Sequence, residues 1–203
     1  MEMFLKSTLL LFVLLNPFLM SVYLVELIKG MSLKEFSSQL IRAGVISYVV
    51  FLVFAWGGEA VFEDVLQVRF LSFMIFGGIT FLIIGVRMIL GIGAPVESLR
   101  PVKKEVAGAI AMPFIVGPGT ITASVLAGSR LEFGAAAGAI ALGLAAAIAA
   151  ILAVKRIFDM VQNHKEIYVS RYMDIAGRVT ALFTGTFAIE LILKGVDRWL
   201  ALQ

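Results

Sequence analysis

Long apolar runs divide the chain, and polar and charged positions gather between them. The runs fall at 7–28, 43–62, 68–90, 107–128, 133–154 and 175–194. A helix of about 20 residues covers about 30 Å, the depth of a bilayer's hydrocarbon core. No water pairs with backbone groups at that depth, so only helices and closed barrels span, and barrel strands alternate residue by residue. Stretches such as "TLLLFVLL" and "AIALGLAAAIAAILAV" do not alternate. The pattern therefore predicts an all-α integral membrane protein of six transmembrane helices. The first run reads as a retained helix rather than a signal peptide. Its apolar character continues through "NPFLMSVYLVELIKG" without a clear small-x-small site.

Composition agrees. The apolar set makes up 61% of the 203 residues, mean hydropathy is +1.01, and only 15% are charged. A soluble domain runs near half apolar and a quarter charged, and the excess would leave a greasy surface. A net charge of +3 is too small and too spread out to argue for nucleic acid. Cysteine is absent, which excludes disulfides, thiol catalysis and thiolate metal sites. Twelve of the 17 Lys and Arg residues fall in or beside the first, third and fifth connections. That side is expected to face the cytoplasm, which places both termini outside a cell membrane.

The sequence also repeats itself. Shifted by 100, "GGITFLIIG" at 77–85 lies over "GRVTALFTG" at 177–185; shifted by 101, Pro17 falls on Pro118 and Ser21 on Thr122. Two helix pairs thus require nearly one offset, in the right order. The reading is two three-helix repeats, 1–92 and 107–203, joined by a cytoplasmic linker at 93–106. Three spans is an odd number, so the second repeat is inverted relative to the first. Inverted repeats are a recurring transporter design, with the substrate near mid-membrane where discontinuous helices meet.

Breaks are expected in the first and fourth spans, at Asn16-Pro17 and at Gly117-Pro118-Gly119. Proline removes a helix donor and clashes with the preceding turn, and glycine weakens the helix further. For Pro17 a kink and a break both stay open; for the Gly-Pro-Gly triplet a break is expected. Unwinding there leaves N–H groups at the start of one half-helix and C=O groups at the end of the other. Such a pair of dipole ends suits a small molecule with a carboxylate and an ammonium. The candidate substrate-binding residues are Asn16, Pro17 and Ser21 in the first repeat, and Gly117, Pro118, Gly119, Thr120 and Thr122 in the second. The hydroxyls have a plainer alternative role, bonding back to the preceding turn.

Charge is scarce inside the spans. Glu26, Glu59, Arg87 and Arg178 lie near helix ends, where side chains reach the interface. Glu190 stands four residues from Lys194, so an ion pair on one face is expected. With no fixed charge at the centre, a neutral zwitterion fits better than a cationic amino acid. Gly134 and Gly138 have the spacing of a close helix contact, within the chain or in a homo-oligomer. His164, alone in a basic loop, reads as solvated, and no metal site or cofactor is expected.

These segments resemble the MarC family of six-span membrane proteins, and within it the SnatA-type transporters of small neutral amino acids. The likeness rests on "LNPF", "FGGITFLIIGVRMI", "AMPFIVGPGTIT" and "RVTALFTGTFAIELILKG", and extends over nearly the whole chain. The resemblance implies uptake of glycine, alanine and similar amino acids, coupled to an ion gradient of protons or sodium. An exporter or carrier of another small polar molecule on the same scaffold is the alternative. A membrane-embedded enzyme would need ionisable groups converging at one depth, and no span contains His or Asp. A membrane protein without transport activity would leave the two breaks without a purpose.

Overall fold

A computed structural model describes residues 1–90, 106–162 and 166–201, and these are helices joined by short turns. In chain order they are α1 (Glu2–Leu15), α2 (Pro17–Tyr23), α3 (Val25–Gly30), α4 (Leu33–Gly57), a π-helical turn at Val61–Val65, and α5 (Phe70–Ile89). There follow α6 (Val106–Ile110), a second π-helical turn (Ala111–Ile115), α7 (Pro118–Arg130), α8 (Phe133–Gln162) and α9 (Glu166–Leu200). The expected linker at 93–106, apart from Val106, and His164 lie outside the described residues.

Among the described residues, four stretches are long and apolar enough to cross a membrane: Glu2–Tyr23, Leu33–Gly57, Phe70–Arg87 and Phe133–Met160. The predicted fourth span is divided among α6, the second π-helical turn and α7, and the sixth falls within α9. Helix ends differ from the hydropathy limits for local reasons. Helix α4 begins at Leu33, ten residues before the apolar run at 43, because Ser32 and Glu35 form a reciprocal capping box. It stops at Gly57, where Gly58 turns to φ 59° and its N–H closes on Phe54 C=O. Helix α8 runs past the apolar limit through "KRIFDMVQ", residues that favour helix in water as well as in lipid.

The core is apolar, with Phe36, Phe51, Ile110 and Ile140 fully buried, but the outer surface is apolar as well. Large apolar side chains face outward in stripes three or four residues apart: Val45, Val49, Val53 and Trp56 on α4, and Phe76, Ile79, Ile83 and Val86 on α5. Ser7, Ser21, Ser47, Thr120, Thr122 and Ser124 are buried, and no buried side-chain N or O among the described residues lacks a partner. Lipid solvates the outward apolar stripes, while the buried hydroxyls find their partners inside the bundle.

The helix contacts come in matching pairs. Helix α1 packs on α8 as α6 packs on α4; α2 packs on α8 as α7 on α4; α2 meets α9 as α7 meets α5. Along 31–56 and 131–156, buried, half-buried and exposed positions follow one order, differing only at 39 and 139. The most extensive contact joins α5 and α9 through the segments that carry the sequence repeat. A side chain on Gly78 would stand 2.7 Å from Ala188 C=O, and one on Gly85 3.2 Å from Ala181 C=O. Small residues there let the two backbones touch.

Candidate functional site

The first break is one residue wide. Asn16 adopts the left-handed conformation (φ 44°, ψ 74°), which Asn tolerates better than most residues. Its N–H closes α1 on Phe12 C=O at 3.2 Å, and its C=O opens α2 by accepting from Met20 N–H at 3.0 Å. Its side-chain oxygen caps α2 by accepting from Leu19 N–H at 3.3 Å. Pro17 takes the first helical position, where a missing N–H costs nothing to α2 but removes the i+4 donor from Val13 C=O.

The second break is wider and lies before the proline. Met112 leaves helical geometry (φ −120°, ψ 125°), and Val116 and Gly117 are extended. Pro118 and Gly119 therefore begin α7 rather than interrupting it. Thr120, buried, ties this segment together: its hydroxyl accepts from Gly117 N–H at 2.9 Å and lies 2.8 Å from Ile115 C=O and 2.9 Å from Gly117 C=O, either of which can take its proton. Gly77 on α5 is what admits the break. A Cβ there would collide with the Pro118 ring.

Matching hydroxyls make matching bonds. Ser21 donates to Pro17 C=O at 2.7 Å and Thr122 to Pro118 C=O at 2.8 Å, so each proline carbonyl is held by the hydroxyl four residues on. Ser124 does the same to Thr120 C=O at 2.8 Å. The back-bonding alternative thus describes all three, although each hydroxyl oxygen keeps lone pairs for a further donor.

A cavity of about 560 Å³ opens between α1, α5, α7 and α9. Of the eight predicted residues, Gly119 and Thr122 line it, beside Leu10, Leu14, Met74 and Leu191. A Cβ on Gly119 would sit 3.3 Å from Phe81, 3.6 Å from Leu14 and 3.8 Å from Leu191, so glycine leaves room where three helices converge. Asn16, Pro17, Ser21, Gly117, Pro118 and Thr120 shape the two breaks and are not among the residues lining this cavity.

Sequence reasoning missed the charged lining toward the ends of α7 and α9: Glu59, Arg130, Asp197 and Arg198, together with the expected pair Glu190 and Lys194. Glu190 and Lys194 do pair, at 3.1 Å. Arg198 reaches across to Glu59 at 2.6 Å and stands 6.0 Å over the Phe70 ring. Phe70 belongs to an aromatic cluster with Phe54, Phe62 and Phe73 that fixes the α4–α5 turn. These charges come from separate segments, so no local motif announces them. Three acids and three bases in one cavity suit a solute carrying both signs. Gly138, one of the two close-contact glycines, faces Phe4 of α1 within the chain, whereas Gly134 faces open space.

Residues 1–200 match a family described as MarC family integral membrane protein. The UPF0056 membrane protein PH0214 of Pyrococcus horikoshii is 24% identical over 193 residues, covering 94% of this chain and 92% of that protein. No solved structure matches the chain.

Proposed function

Because the chain belongs to the MarC family of integral membrane proteins, we propose that it is a secondary transporter of small neutral amino acids such as glycine and alanine. Six spans in two inverted repeats work by alternating access, driven by a proton or sodium gradient. Both termini lie outside the cell membrane. The paired helix contacts and the matching burial of α4 and α8 support the two-repeat reading. A rigid exchange of two such halves would close the present cavity and open its counterpart at the other end.

One observation carries the substrate class: the cavity with charges of both signs in its lining reaches Gly119, at the start of α7. Gly119, in the cavity lining, carries one of the first amide N–H groups of that helix, for which the helix itself supplies no carbonyl. It suits a carboxylate, and the side chains around Gly119 are apolar and suit a hydrogen or methyl group. The test is uptake of labelled glycine and alanine by liposomes bearing the protein, under an imposed proton or sodium gradient. Uptake above that of empty liposomes, abolished by the matching ionophore, is expected. No uptake of any small amino acid under either gradient would refute the proposal.

A further inference from the structure

Lys155 is the buried charge that the substrate path does not use. It is only 2% exposed, although it lies at the lysine- and arginine-rich end of α8, where a long side chain normally reaches the interface. Its ammonium instead points inward, donating to Ile28 C=O at 2.7 Å and pairing with Asp159 at 2.6 Å. Ile28 is fully buried in the last turn of α3, where carbonyls lack helical partners and a cation is favoured. A buried ammonium with partners is tolerated, but without them it is strongly disfavoured. The contact therefore holds well or fails as a unit.

The repeat supplies its counterpart. At an offset of 100, Lys155 and Ile28 correspond to Ala55 and Gly128. There the helices touch directly, since a Cβ on Gly128 would run into Ala55 C=O. Asp159 corresponds to Glu59, which lines the open cavity and pairs with Arg198 of α9. Equivalent acids thus do different work. Glu59 lies in the cavity wall, whereas Asp159 helps hold a lysine that bridges α8 to α3.

We infer that Lys155 is a latch, a positioning residue that keeps the lysine- and arginine-rich end of the bundle closed while the opposite cavity is open. The inference rests on the alternating-access reading above. Moving α3 off α8 strands both the ammonium and the Ile28 carbonyl. Helix α3 continues the first span beyond the Asn16-Pro17 break, so the latch fixes one side of that break.

The chain has no cysteine, so single cysteines report accessibility without background. Ser129→Cys samples the open cavity and Leu24→Cys, at a buried position next to α3, samples the latched end. Labelling by a water-soluble maleimide is measured in the purified protein, with Lys155→Met and with the milder Asp159→Asn. Each variant is expected to speed labelling at position 24, by about tenfold for Lys155→Met, and to slow it only slightly at position 129, because a small shift in a two-state population multiplies the minor state and barely lowers the major one. Unchanged rates at both positions overturn the latch. Faster labelling at both positions, in both variants, means a loosened fold and overturns it equally. Glycine uptake is measured on the same preparations. The labelling shift without uptake in the parent protein would refute the substrate reading and leave the latch standing.

Discussion

Thr120 uses its hydroxyl on the break itself. The group sits between Gly117 N–H and the carbonyls of Ile115 and Gly117, so the wider of the two breaks is closed by a side chain three residues on. Removing it leaves a buried N–H without a partner, at about 1–3 kcal/mol. Thr120→Val is therefore expected to lower the thermal midpoint clearly, and Thr120→Ser, which keeps the hydroxyl, to lower it much less. Equal losses would show that the methyl group, not the hydrogen bond, holds the segment. Residue identity made the polar cluster legible in advance, but not its bonds. Asn16 reads as a ligand group in an apolar run, whereas its backbone conformation makes it a cap for α2. Lys155 reads as a loop cation, because nothing in a linear sequence says that Ile28 lies across from it.

Among the helices, glycine acts by position. Gly128 brings α7 against the Ala55 carbonyl of α4, while Gly134 at the start of α8 meets nothing within 4 Å. Gly128→Val must push two backbones apart, and overpacking of this kind costs about 1–3 kcal/mol. Gly134→Ala gains helix propensity of up to about 1 kcal/mol. Thermal unfolding in detergent should show the midpoint fall for the first and hold or rise for the second. A fall for Gly134→Ala would mean that this face is packed in the assembled protein, as a homo-oligomer requires. Of the six apolar runs that hydropathy marks, four fall on helices long and apolar enough to cross a membrane among the described residues. Hydropathy missed their ends, because the Ser32–Glu35 box and the Gly58 turn are made by polar and backbone groups. The proline and glycine pattern placed the second break on Gly117-Pro118-Gly119, whereas proline starts a helix more readily than it ends one, and the interruption falls on Met112 to Gly117.

For the whole molecule, the repeat was read from the sequence because Pro17/Pro118 and the 77–85/177–185 segments keep nearly one offset. Those segments turned out to be a mutual contact of α5 and α9, which explains why small residues recur in them. The cavity was not visible, since its lining is gathered from α1, the α4–α5 turn, α5, α7 and α9. The space beside Gly119 is the proposed seat of a small zwitterion. Equilibrium binding of labelled glycine to the purified protein, displaced by unlabelled alanine, measures that most directly. Saturable binding is predicted for the parent chain, with none for a correctly folded Gly119→Val variant, whose side chain would fill the gap between Phe81, Leu14 and Leu191. Undiminished binding in Gly119→Val, or none in the parent chain, would contradict it.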